Sequence, residues 1–158
     1  MNYTVYGMNL LSKDNPPQKI DGFVFFSTLE NRSWNVLGYM QEQKKLPGEV
    51  LAISTENAEE SKNFTDKRFA RISFNRTKIS SDLSNNLIPC LSAIHQYVLN
   101  KKMIGIDISA MPTPIFSQIL HFLMKKHADK KIMVYYTEPE HYNLNNMFDF
   151  SSCDGEID

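Results

Sequence analysis

The sequence lacks the features that identify disulfide-rich, membrane-spanning and secreted proteins. Two cysteines among 158 residues are too few for a disulfide framework. No apolar run approaches the ~18 residues that a membrane span requires, and the first 20 residues lack a basic segment followed by an apolar one. We therefore expect a cytoplasmic protein that does not act in a membrane.

Nucleotide and metal motifs are also missing. Glycine occurs six times, and neither Gly-rich fingerprint, GxGxxG or GxxxxGK[ST], is present, which argues against a standard dinucleotide dehydrogenase or a P-loop NTPase. The four histidines have no metal-ligand spacing with each other or with the two cysteines. We expect no cofactor and no metal.

The whole chain is nearly neutral, but its two parts carry opposite net charges. Lys and Arg number 17 against 18 Asp and Glu, and no continuous basic stripe favours a long nucleic acid. All basic residues precede Glu138, so residues 1–137, with 12 acids, carry a net charge of +5. Six acids follow, which predicts a solvated flexible tail or a lid over an anion-binding face.

The length corresponds to one domain, because domains average ~150 residues. Asn15-Pro16-Pro17 separates a leading arm (1–20) from the main pattern, and an acidic tail follows at 143–158. Between them, 21–142 alternates strand and helix patterns. This order predicts an α/β protein: a three-layer Rossmann-like fold with a mostly parallel sheet of about five strands.

The strands are predicted from two kinds of pattern. Continuous apolar runs indicate strands buried on both faces, whereas alternation at Arg68–Phe74 indicates a strand near a sheet edge. The apolar runs are 22–27, 49–54, 103–109 and 131–136.

Helices are predicted between these strands. The spacing from Trp34 to Met40 favours a helix with Lys44 and Lys45 at its end, and 55–68 is polar enough for only a short helix or loop. A stripe from Leu83 to Val98 predicts a helix capped by Asn86. Thr113-Pro114 should cap and open the helix Ile115–Lys126, which is apolar nearly all round and should be well buried.

The topology predicts where a ligand would bind. In open α/β sheets, ligands bind beyond the carboxyl ends of the strands, where strand order reverses. With the order 3-2-1-4-5, this point joins segments 27–33, 107–113 and 136–142. The candidate ligand-binding residues are Ser27, Thr28, Glu30, Arg32, Ser33, Asp107, Ser109, Thr113, Tyr136 and Thr137.

Each chemical role has a plain structural alternative. Arg32 could pair with a phosphate at a helix N-terminus, or sit in water. Asp107 lies in an isoleucine-rich strand, where a carboxylate needs partners, and it could instead organise the following loop. Tyr136 could stack on a base, whereas Tyr135 on the strand is more typical of core. Glu30 and Glu138 are candidate catalytic carboxylates.

Residues 104–120, a strand, a hydroxyl-bearing turn and a helix, resemble part of CARF-type Rossmann-like sensor domains, which bind cyclic oligonucleotides in bacterial defence. Where that turn is usually Gly-rich with a Lys, this chain has Ala110-Met111-Pro112. Residues 22–33 and 136–142 also look like other Rossmann-like proteins associated with bacterial defence. Within 22–33, the residues Phe-Phe-Ser at 25–27 and Glu-Asn-Arg at 30–32 are similar to TIR domains.

Three function classes follow. A non-catalytic sensor would use Thr28, Arg32, Ser109 and Thr113 for phosphate or ribose and Tyr136 for a base; one domain leaves no room for an effector, so we expect a homodimer or a partner protein. An interaction subunit would bury Trp34, Tyr39 or the leading arm against its partner. The TIR resemblance implies an NAD glycosidase in which Glu30 or Glu138 stabilises positive charge on the ribose. The sensor is the leading hypothesis, and whether the chain is an enzyme stays open.

Overall fold

The computed structural model describes residues 17–55, 59–80 and 87–138. The predicted acidic tail and all but the last four residues of the leading arm lie outside these ranges. Of the helices within them, none combines the length and the apolar character needed to cross a membrane.

Five parallel strands form one sheet in the order β3-β2-β1-β4-β5, and four helices connect them. This is the predicted α/β architecture with the strand order on which the site prediction depends. The strands are β1 (Gly22–Phe26), β2 (Glu49–Thr55), β3 (Ser73–Ile79), β4 (Met103–Asp107) and β5 (Lys131–Tyr135). The helices are α1 (Arg32–Glu42), α2 (Glu59–Arg68), α3 (Ile88–Val98) and α4 (Thr113–Lys126).

The central strand β1 divides the core into two layers. All five of its residues are buried, and successive side chains leave opposite faces of the sheet. Val24 and Phe26 pack in a cluster with side chains of α3 and α4. Phe23 and Phe25 pack in a second cluster with side chains of α1, and α2 joins this face because the Phe64 ring lies 5.3 Å from the Trp34 ring.

The strand predicted at Arg68–Phe74 begins later in the structure, at Ser73. Arg68 is the last residue of α2, and β3 begins only at Ser73. Phe69, the first apolar residue of the alternation that suggested the strand, is 2% exposed and packs in the α1-side cluster. It therefore anchors the end of a helix. The edge position was predicted correctly, since β3 pairs with β2 alone.

The helix starts also differ from the predictions. Leu87 precedes α3 as its cap, while the predicted cap, Asn86, lies outside the described ranges. Thr113 is the first residue of α4 rather than its cap, because Pro112 before it has the extended ψ of 135°. Helix α4 buries one stripe, Ile115, Ile119 and Leu123, and not nearly all of its surface as predicted.

Helix α1 ends in a Schellman motif with a lysine in the left-handed position. The helix stops at Glu42, so Lys44 and Lys45 lie beyond it rather than in its last turn. The Lys45 N–H donates to Met40 O at 2.9 Å, and the Lys44 N–H donates to Gln41 O at 3.0 Å. Lys44 has φ 55°, a region that costs an L-residue roughly 1–2 kcal/mol and that glycine adopts freely.

We therefore expect Lys44→Gly to raise the free energy of unfolding by about 1 kcal/mol. Urea denaturation measures this. Lys44→Ala is the matched control, because it removes the same charge but leaves the backbone strain. Equal effects of the two substitutions would refute the backbone explanation.

Gly105 lies in the middle of β4 where a side chain has no room. A Cβ there would lie 2.8 Å from Tyr135 Cε2, 2.9 Å from Ile20 Cδ1 and 3.0 Å from Phe23 Cδ2. Core side chains therefore occupy the space that a side chain at position 105 would need. Gly38, in α1, has no atom within 4 Å of the same position.

Gly105→Ala should lower the free energy of unfolding by about 1–3 kcal/mol, since packed rings must move. Gly38→Ala should raise it by up to about 1 kcal/mol, because alanine favours a helix interior over glycine. Thermal unfolding of the two variants beside the wild type checks the opposite signs. A neutral Gly105→Ala would contradict the packing described above.

Candidate functional site

A cleft lies at the carboxyl edge of the sheet, beside the point where strand order reverses between β1 and β4. Its volume is about 460 Å³, within the range of small-molecule sites. Four of the ten predicted ligand-binding residues line it, and they come from α1, the β4–α4 loop, α4 and the end of β5. They are Arg32, Ser109, Thr113 and Tyr136.

Asp107, at the end of β4, is joined to the cleft through Ser109. The carboxylate is 2% exposed, and its Oδ1 accepts hydrogen bonds from the Ser109 N–H at 2.9 Å and from the Ser109 hydroxyl. The Thr137 N–H donates to Ser109 Oγ at 2.8 Å. These bonds connect the ends of β4 and β5 and hold the Ser109 hydroxyl in one orientation.

Burial raises the pKa of the Asp107 carboxyl to about 6, and the hydrogen bonds from Ser109 oppose this increase. None of the ion pairs within the described ranges involves Asp107. The folded protein therefore holds a carboxylate that is costly to ionise close to the cleft.

The loop between β1 and α1 is held by its own polar side chains. The Thr28 and Ser33 hydroxyls lie 2.6 Å apart, and Thr28 Oγ1 accepts the Glu30 N–H at 3.1 Å. Glu30 Oε2 accepts a hydrogen bond from Arg32 Nε at 2.7 Å, in an ion pair that is partly exposed. Thr28, Glu30 and Ser33 thus shape the segment that presents Arg32.

Ser27, also predicted to bind a ligand, has a different neighbour. It is buried at the end of β1, and its hydroxyl lies 2.6 Å from the Ser61 hydroxyl of α2. The contact ties the β1–α1 loop to α2. Ser27 is absent from the lining of the cleft described above.

Two helices begin at the cleft, and Glu30 lies two residues before α1, paired with Arg32. The first turns of α1 and α4 contain no acidic residue, and neither helix has a side-chain hydrogen bond from its cap. A helix N-terminus carries about +0.5 elementary charge. Together with Arg32 this makes the cleft suited to an anion.

The candidates for catalysis and for partner contact are not among the residues that line the cleft. Neither Glu30 nor Glu138 lines the cleft; Glu30 is paired with Arg32 and Glu138 is exposed. Trp34, predicted as a contact for an interaction subunit, is 1% exposed and packs in the α1-side core. The core therefore accounts for this tryptophan.

Sequence reasoning did not single out several residues that line the cleft or make polar contacts. Phe116 lines the cleft although its helical spacing indicated core, and Ser61 is the partner of Ser27. His127 Nε2 lies 3.0 Å from His95 Nδ1 near the far ends of α4 and α3, and burial lowers the pKa of His127. No local pattern marks such contacts, because each joins segments distant in sequence.

Comparison of the chain with protein-family models gives no match, and neither does comparison with curated proteins.

The buried Asp107 predicts an unusual dependence of stability on pH. Its pKa is raised in the folded state, so its favourable contribution is present below its ordinary value of 3.8 and is lost as the pH rises through about 6. We expect Asp107→Asn to stabilise the protein at pH 7.5 by up to about 2–3 kcal/mol, and by much less at pH 4.5.

Urea denaturation at both pH values measures this difference, with Asp21→Asn as the control. Hydrogen bonds from the Met103 and Lys102 amides lower the pKa of exposed Asp21. Its contribution is therefore fully present above 3.8, and Asp21→Asn should destabilise the protein equally at the two pH values. An Asp107→Asn effect that does not change with pH would disprove the pKa shift.

Proposed function

We propose that the chain is a non-catalytic binding protein for a small phosphorylated ligand, of the nucleotide type, held at the carboxyl edge of the sheet between β1 and β4. The observation that carries this proposal is that Arg32 and the N-termini of α1 and α4 meet at one cleft. Both are features that favour a phosphate.

The hydroxyls and the aromatic ring of the cleft supply the remaining contacts. Thr113 places a hydroxyl group at the start of α4, where it can donate to a phosphate oxygen. The Ser109 hydroxyl already donates to Asp107 Oδ1, so towards a ligand it can only accept. Tyr136 is 52% exposed, so its ring offers a free surface for stacking against a base. A nucleotide would use both kinds of contact.

A sensing role, as in the resemblance to CARF-type domains, fits binding without turnover. The polar groups of the cleft recognise charge and hydroxyl groups, and the carboxylates predicted for a glycosidase reaction do not line it. Passing a signal onward then falls to a second copy of the chain or to a partner protein.

Arg32→Ala should weaken binding of AMP and of inorganic pyrophosphate by about 10- to 100-fold, because a charge-assisted hydrogen bond contributes about 1.5–3 kcal/mol. Isothermal titration calorimetry at low ionic strength measures both affinities. Arg71→Ala, at an exposed position away from the lining residues, is the matched control and should leave them unchanged. If the wild type binds neither probe, or if both variants bind equally, the proposal is wrong.

A further inference from the structure

Most basic side chains gather at the amino edge of the sheet, opposite the cleft. Each helix runs back alongside the parallel strands, so the helix ends and the loops that enter the strands lie at this edge. The segments concerned are 17–22, 39–49, 65–73, 95–103 and 123–131. They contain 12 of the 16 Lys and Arg residues in the described ranges, against five Asp and Glu. Together they form the basic edge, with a net charge of +7.

Helix dipoles account for only part of this charge. The four helix C-termini at the edge each carry about −0.5 elementary charge, which leaves roughly +5. Cations in the last turn of a helix offset the dipole, as two basic residues do in α2 and two in α4. The effect falls off within that turn, yet the other eight basic residues lie in loops or at the start of a strand. Helix stability therefore does not explain the charge of the loops.

Several of these cations are accessible to a partner. Lys44, Lys102 and Lys126 are exposed, and none of them belongs to the ion pairs of the described ranges. Lys44 also has φ 55°, a conformation that suits glycine and strains a lysine. The backbone at this position therefore does not favour a lysine, which adds a positive charge to the surface.

The surface of the basic edge has little apolar or aromatic character. Among the large hydrophobic side chains that are exposed in the described ranges, Leu99 alone lies on this edge. Single-stranded nucleic acids are usually bound by stacking their bases on aromatic rings, and membrane-surface segments bury an apolar face. The described part of the edge offers no exposed aromatic ring, so charge dominates its contacts.

The width of the edge suits a double helix. Five strands about 4.8 Å apart extend over roughly 19 Å. Duplex DNA carries one negative charge per about 1.7 Å of its axis, hence about 11 phosphate charges over that length. The 12 basic residues of the edge are comparable in number.

We propose that the basic edge binds the phosphate backbone of a nucleic-acid duplex without reading its sequence. The basic residues are scattered along the chain, and for that reason the sequence by itself did not favour a long nucleic acid. The fold removes that objection, because it gathers the scattered residues at one edge. This edge lies opposite the cleft, so the duplex site is independent of the proposed small-ligand site.

The affinity for a 20-base-pair DNA duplex, followed by fluorescence anisotropy with the whole chain at 50 and 200 mM NaCl, tests the proposal. With four or more phosphates contacted, the slope of log K against log [salt] is about −3.6 or steeper. We therefore expect the affinity to fall at least about 100-fold between the two salt concentrations, and to be equal for a duplex of unrelated sequence. An RNA duplex of the first sequence shows which backbone binds more tightly.

Lys102→Gln combined with Lys126→Gln removes two cations from the basic edge. This double variant should bind the duplex at least about tenfold more weakly at 50 mM NaCl, with a slope shallower by nearly 2. Lys62→Gln combined with Lys78→Gln is the matched control, because both lysines are exposed outside the basic edge and the net charge changes equally. The control should bind within about twofold of the wild type, since salt screens distant charges.

The proposal is wrong if the wild type does not bind the duplex at 50 mM NaCl or if the slope is near zero. Equal losses in the two double variants would also overturn it, as would tighter binding of a 20-nucleotide single strand or of phosphatidylserine vesicles. The wild-type comparisons need no variant, so they decide the question even if a substitution unfolds the protein. The Lys102 and Lys126 double variant should bind AMP as the wild type does, because a failure of AMP binding concerns the cleft alone.

Discussion

The structure depends on a central strand that is apolar on both faces and paired on both sides. Val24 of β1 lies between Leu51 of β2 and Ile106 of β4, and no residue of the strand reaches solvent. At its start, the Phe23 N–H donates to the Tyr97 hydroxyl at 3.0 Å, and that hydroxyl donates to Glu49 O at 2.8 Å. A strand held in this way has a fixed carboxyl end, and the segment that presents Arg32 begins there.

The cleft brings groups that attract anions close to a buried carboxylate. Its rim gathers a guanidinium and two helix N-termini, which attract anions. Just behind Ser109 lies Asp107, a carboxylate that the fold keeps from water. Structural stability alone would not favour an acid there, because burial makes its ionised form costly. The binding function proposed for the cleft would explain this local conflict, since the chemistry of a site can oppose folding.

The sequence predicts those parts of the fold in which local pattern and tertiary environment agree. β1 and β4 are continuous apolar runs because both of their faces are covered, so pattern alone locates them. The strand at 68–74 was misplaced because Phe69, just after α2, packs against Trp34 of α1, while Ile72 and Phe74 pack against the same cluster. The end of a helix followed by the start of a strand therefore gives the same apolar alternation as one strand. At the site, topology predicted that Arg32, Ser109 and Thr113 would meet. It could not predict the Ser27–Ser61 contact or the unpartnered Asp107 Oδ2, since both depend on side-chain positions set by packing.

The central strand also determines the order in which the domain can assemble. β1 needs β4 as its second neighbour, and the Phe23 amide needs the Tyr97 hydroxyl, a partner 74 residues further along the chain. While the chain emerges from the ribosome, β1 therefore stays paired on one side at best until β4 has been made. During that interval the unpaired edge and the apolar faces of β1 are exposed, and such surfaces favour off-pathway association. Completion of the sheet, and with it the cleft, waits for β4 and β5.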